Sequence, residues 1–171
     1  MANLQASLRG QAFVGSECNN SVSFANNILY HNTDPTRYAT LFYSILNKDD
    51  HKITYCNAGH NSPYLFSPGG DPVRLSEGGI VVGMIPDYIY EEKSVDLRSE
   101  DVFVLYSDGV TEAMNFEEEE FGEERLENSI RQNLQLSADD LIKAIFKDVE
   151  SFTKGAPQSD DITMVIVKRV R

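Results

Sequence analysis

Residues 102–106, Val-Phe-Val-Leu-Tyr, are five apolar or aromatic positions in a row, closed by Ser107-Asp108-Gly109. An unbroken apolar run of that length followed by a turn tripeptide predicts a strand buried on both faces that ends sharply. Its closing turn holds the Asp108 carboxylate at the rim of a sheet. Residues 158–167 show the reverse order, with Asp160 and Asp161 opening an apolar run instead of ending one. If the two strands are antiparallel neighbours, their aspartates meet at one end of the sheet.

The remaining pattern supplies helices and hairpins. Residues 1–12 are good helix formers with Met1, Leu4 and Leu8 on one face, and no N-cap precedes them, so the chain reads as beginning inside a helix. A second helix is predicted over 16–30 through Val22, Ala25, Ile28 and Leu29, with Ser16 as a cap. Apolar-rich strands at 39–46 and 52–57 flank the turn residues 47–51, and 63–66 and 73–75 flank 67–72; both pairs read as hairpins. The glycine-bracketed stretch 78–84 suits a short strand or a loop lining a site. Residues 88–97 alternate imperfectly and are expected to pair with the 102–106 strand across 98–101. Two further helices follow over 121–136 and 137–152. The second puts Leu141, Ile142, Ile145, Phe146 and Val149 on one face, and Ser137 with Asp140 forms a variant capping box. Gly155-Ala156-Pro157 stops that helix, and a strand over 161–170 closes the chain. The expected class is α+β, antiparallel sheets covered by helices.

Composition narrows the function. A chain of 171 residues is about one domain with a real core. Its formal net charge of −12 argues against nucleic acid and against an anionic membrane face, and favours a metal ion or a small protein partner. No apolar run approaches the length of about 18 residues that a membrane span needs, and no basic-then-apolar leader is present, which reads as a cytoplasmic chain. Cys18 and Cys56 have neither metal-ligand nor disulfide-framework spacing and are read as inert apolar residues. The acidic segment 117–124, which includes the run 117–120, is read as a solvated helix start rather than a metal site, and its charge could steer a basic partner.

Asp108, Asp160 and Asp161 are oxygen ligands with no histidine or thiolate beside them in sequence. That set suits a hard cation, Mg²⁺ or Mn²⁺, rather than Zn²⁺. Residues 55–63, Tyr-Cys-Asn-Ala-Gly-His-Asn-Ser-Pro, form a third cluster at a strand end. Either its polar groups converge on a site, or it is a satisfied turn whose asparagines and His60 bond their own backbone.

Asn57-Ala58-Gly59-His60-Asn61-Ser62-Pro63, then residues 105–113, Leu-Tyr-Ser-Asp-Gly-Val-Thr-Glu-Ala, then Asp160-Asp161-Ile162-Thr163, in this order, resemble the SpoIIE/RsbU-type branch of the bacterial metal-dependent protein phosphatases (PPM), relatives of protein phosphatase 2C. The resemblance spans the chain and implies an α/β/β/α sandwich with a two-metal site, Mn²⁺ or Mg²⁺, at one edge of the sheets. It makes Asp108 and Asp160 the catalytic metal ligands and Asp161 a further candidate. Gly109, Asn57, Gly59, His60 and Asn61 become site-lining residues. In such a site two divalent ions about 3.5 to 4 Å apart activate a water for in-line attack on phosphorus. The implied reaction is hydrolysis of phosphoserine or phosphothreonine on a small regulatory protein of the anti-sigma-factor antagonist type.

One departure from the family pattern matters. The family's domain begins with strands carrying a Gly-Asp and an Asp-Gly motif that supply the remaining metal ligands, and residues 1–9 resemble the later part of the helix after them. Residues 1–171 are therefore expected to be the C-terminal two thirds of the domain. A non-catalytic, phosphatase-like interaction module is the alternative. Unpaired sheet edges in a shortened domain would favour a homodimer. A haloacid-dehalogenase-type reading fails, because that chemistry needs an aspartate nucleophile where Tyr106 stands.

Overall fold

The computed structural model describes residues 2–34 and 36–170. In chain order the elements are α1 (Ala2–Val14), α2 (Cys18–Asn32), β1 (Leu41–Asn47), β2 (Lys52–Ala58), β3 (Tyr64–Phe66), β4 (Val73–Arg74), β5 (Gly78–Gly79), β6 (Lys93–Asp96), β7 (Val102–Tyr106), α3 (Asp108–Thr111), α4 (Gly122–Asn133), α5 (Ala138–Thr153) and β8 (Met164–Lys168). They sort into two compact units, one of residues through Ser62 together with Leu75–Leu97, the other of Pro63–Arg74 with the residues from Arg98 onward.

In the first unit β1 and β2 form the expected hairpin, Leu41 opposite Ala58 and Asn47 opposite Lys52. A two-residue parallel contact joins β2 to β5, so this sheet is not purely antiparallel. Helix α2 contributes Cys18 and Val22 to a cluster with Cys56, Ala58, Val82 and Tyr90. Both thiols are free and fully buried, and burial pushes Cys18 up to about 11 and Cys56 up to about 12, which leaves little reactive thiolate at neutral pH. The predicted α1 face is present at buried Leu4 and half-buried Leu8, while Met1 lies outside the described residues. Ser16 does not cap α2. The helix starts at Cys18 with Glu17 at the cap position, and the Ser16 hydroxyl donates to Gln11 Oε1 at 2.7 Å.

Strand β6 corrects the sequence expectation. It pairs antiparallel with β2, setting Val95 opposite Ile53, instead of with β7. Both edges of β7 are already taken, by β3 and β8, so 88–97 has no place beside it. The intervening 98–101 turn is closed by the Asp101 carboxylate, which accepts from the Arg98 N–H at 2.7 Å.

The second unit is a sheet in the order β4-β3-β7-β8 with α4 and α5. Four of the five β7 residues are buried, as the apolar run demands. Val102, Val104 and Tyr106 cluster with Leu126 and Ile130 of α4 and with Leu141, Ile145 and Val149 of α5. Each such fully buried aliphatic side chain stabilises the fold by about 1.5–3 kcal/mol. Strand β8 runs antiparallel to β7 and places Tyr106 opposite Met164. The end of one strand and the start of the other therefore lie at the same edge of the sheet, which sets the stage for the aspartates.

Candidate functional site

Because β7 ends where β8 begins, Asp108 and the Asp160-Asp161 pair are brought to one place, and Ser107 joins them. The Ser107 N–H donates to Thr163 O at 2.9 Å, its hydroxyl donates to Asp161 O at 3.0 Å, and the same oxygen accepts from the Thr163 N–H at 2.9 Å. Gly109 is buried directly against this segment. A Cβ there would stand 2.5 Å from Asp161 O and 3.3 Å from Asp160 O, so only glycine allows the two backbones to approach this closely. Gln158 Nε2 donates to Asp160 O at 2.7 Å, and Ser159 Oγ to Glu112 O at 3.4 Å.

All three carboxylates are exposed. Asp108 Oδ1 accepts from the Gly109 N–H at 2.9 Å and Asp160 Oδ1 from the Asp161 N–H at 2.7 Å. None of the three is ion-paired among the described residues. The donor set is right in kind for Mg²⁺ or Mn²⁺, which take oxygen ligands. In placement it falls short. Among the described residues no group of three or more His, Cys, Asp or Glu is placed to hold a metal ion. The side chains present therefore do not by themselves fit the two-ion centre that the sequence resemblance implies.

The cluster at 57–61 belongs to the other unit, at the end of β2. Asn57 is buried, and its Nδ2 donates to His60 O at 2.9 Å and to Leu75 O at 3.2 Å, while its Oδ1 accepts from the His60 N–H at 2.8 Å. That amide acts as a clip on its own backbone, the satisfied-turn arrangement. Gly59 sits at φ +74, and a Cβ there would come within 2.5 Å of Val81 Cγ1. The His60 ring lies 3.4 Å, through Nδ1, from the Thr40 hydroxyl, and Asn61 is half-buried beside it in sequence.

Sequence reasoning named the aspartates as candidates but passed over Ser107 and Ser159, whose bonds tie the two acidic segments together, and Gln158, which braces its own segment through Asp160 O. Ser107 stands next to Asp108, yet nothing local distinguishes a clamp between strands from an ordinary turn serine.

The sequence profile of the family Stage II sporulation protein E (SpoIIE) matches residues 1–170. The chain belongs to this family. Protein IcfG of Synechocystis sp. is 30% identical to it over 151 residues, covering 88% of this chain and 24% of IcfG. Phosphoserine phosphatase RsbU of Bacillus subtilis is 31% identical over 146 residues, covering 84% of this chain and 43% of RsbU. The chain thus spans less than half the length of either relative. Among solved structures, the SiaA-PP2C domain of Pseudomonas aeruginosa superposes with a TM-score of 0.83 at 17% identity, covering 98% of this chain and 68% of that domain. The fold is the mixed helix-and-sheet sandwich class of PPM phosphatases, as the motifs of this SpoIIE-family chain imply. No helix among its described residues is long and apolar enough to cross a membrane.

Proposed function

We propose that residues 1–171 are the C-terminal two thirds of a PPM-type domain and that, taken alone, they act as a phosphatase-family module that binds a protein partner without hydrolysing it. The observation that carries this reading is the want of any three-ligand group among the described residues. A divalent ion of this type is held in a site of about six oxygens, and aspartates at one sheet edge are a partial share of it.

A second reading, a working metal-dependent serine/threonine phosphatase, is favoured by one observation. Ser107 holds the Asp108 strand end against the Asp160-Asp161 segment, and no lysine or arginine neutralises these carboxylates among the described residues. In that reading Asp108 and Asp160, with Asp161 beside them, hold Mn²⁺ or Mg²⁺ together with carboxylates from strands outside this chain. The substrate is then phosphoserine or phosphothreonine on a small cytoplasmic regulatory protein of the anti-sigma-factor antagonist type; the similarity to RsbU, a phosphoserine phosphatase by name, supports the phosphoserine part of that reading. Homodimerisation through open sheet edges is part of the proposal, and a monomer at every concentration in sedimentation velocity counts against it.

The deciding experiment is Mn²⁺-dependent phosphate release from a phosphoserine peptide. It compares this chain, its Asp108→Asn variant, and a version extended at the N-terminus by strands carrying the Gly-Asp and Asp-Gly motifs. Release only by the extended version is the expected result. Release by this chain that Asp108→Asn abolishes would overturn the first reading in favour of the second.

A further inference from the structure

Ala113, Met114, Phe146, Val149, Ala156 and Ile162 line a cleft of about 330 Å³ in the second unit, with exposed Glu150 and Gln158 also on its wall. It adjoins the acidic segment, since Gln158 bonds the Asp160 carbonyl. Its size is at the low end of the range for small-ligand pockets, about 300–1,000 Å³, and suits one or two large side chains.

Beside it the acidic run 117–120 is held in a defined loop. Met114 and Glu120 form an antiparallel bridge, and the Asn115 side-chain oxygen accepts from the N–H groups of Glu117 at 3.0 Å and Glu119 at 2.9 Å. Glu117, Glu118, Glu119 and Glu120 are all exposed, and none is ion-paired among the described residues. Phe116, 67% exposed, stands in the same loop. Among the described residues Arg125 is the one cation seated on this loop, at its end: Nη1 donates to the backbone carbonyls of Glu120 and Phe121 at 3.1 and 3.0 Å and the guanidinium lies over the Phe152 ring at 4.6 Å, so it offsets part of the charge without pairing with a loop carboxylate. Residues 108–124 carry eight acidic side chains and no lysine or arginine, and 146–162 carry four acidic side chains against Lys147 and Lys154. An apolar cleft with so one-sided a border repels an acidic partner and an anionic lipid surface alike, and attracts a cationic segment.

We propose that this cleft and the 114–120 loop form a docking surface for a segment of a partner protein in which bulky aliphatic side chains are flanked by lysines or arginines. The aliphatic side chain enters between Met114, Phe146 and Ile162, and the flanking cations face the loop glutamates and Glu150. This rests on the reading of the chain as a partner-binding module and specifies the partner's chemistry.

The test is fluorescence anisotropy on the full chain with a labelled twelve-residue peptide bearing two central leucines flanked by lysines. The comparison peptides replace the leucines by serine or the lysines by glutamate. At least tenfold tighter binding of the leucine–lysine peptide than of either comparison is expected. The triple variant Glu117→Lys, Glu118→Lys, Glu120→Lys, which spares the Glu119 side-chain bond to Asn115, should weaken that binding about tenfold. Ala156→Trp, which fills the cleft, should weaken the leucine–lysine peptide at least fivefold and leave the serine peptide unchanged. Asp49→Lys, Glu91→Lys, Asp96→Lys makes the same charge change on exposed positions of the other unit and should leave binding as it was. Circular dichroism melts confirm that each variant is folded. The proposal is overturned if leucine confers no advantage, or if the remote triple variant weakens binding as much as the loop variant. Such a failure, with phosphate release still absent from this chain, removes the docking surface alone; Mn²⁺-dependent release by this chain removes the module reading itself.

Discussion

Gly109 carries the tightest constraint at the candidate site. A methyl group there would meet the Asp161 carbonyl at 2.5 Å, a backbone atom that cannot rotate away. Gly109→Ala is expected to lower the unfolding free energy by about 1–3 kcal/mol through overpacking, seen as a lower denaturant midpoint at unchanged slope. Ser107 works from the same place with polar chemistry, one hydroxyl bridging Asp161 O and the Thr163 N–H. The motif residues Ser107, Asp108 and Gly109 were legible as a turn at a strand end, and the convergence of Asp108 with Asp160 followed only once β7 and β8 were antiparallel neighbours, which the structure supplies. The Ser107 bonds were not legible, because their partners lie more than fifty positions away and belong to backbone atoms that any residue supplies.

At the scale of elements, local rules set α5 and tertiary contacts end α4. Ser137 Oγ accepts from the Asp140 N–H at 3.2 Å and donates to Asp140 Oδ2 at 2.8 Å, the capping arrangement that the sequence spacing predicts. Ser137→Ala should cost about 1 kcal/mol in chemical denaturation, and Ser137→Asp should recover most of it. Helix α4 ends differently. The carbonyl of its C-cap Leu134 and that of Leu136 in the following turn accept from Lys168 Nζ at 2.7 and 2.8 Å, a nearly buried ammonium reaching from β8. Lys168→Met keeps the apolar stem but removes both charge-assisted bonds, and a loss of about 1.5–3 kcal/mol is expected in the same assay. Nothing in the sequence near 134–136 signals this partner, since it arrives from a strand thirty-odd residues later.

For the molecule as a whole, Glu77 makes one defined contribution to the acid side of the stability profile. The Lys93 ammonium and then the Tyr55 hydroxyl donate to its carboxylate and hold its pKa at about 2, below the ordinary 4.5. A folded-state value below the unfolded one means that the unfolded chain takes up the proton first as pH falls. The stabilisation is therefore complete above about pH 4.5 and is lost on going down towards pH 2. Glu77→Gln should narrow its stability gap from the parent chain across that window, as followed by urea midpoints at stepped pH. Local pattern was enough to set most element types and their order, the β1–β2 hairpin, the burial of β7 and the position of each aspartate at a strand end, because periodicity and turn chemistry act over a few residues. Long-range contacts settled that β7 and β8 lie side by side, that β6 joins β2, that Asn57 clips its own backbone, and that Asp108, Asp160 and Asp161 share one sheet edge without forming, among the described residues, a group of three placed to hold a metal ion. Those outcomes depend on which sheet edges remain open and which distant groups meet, and neither is written in local pattern.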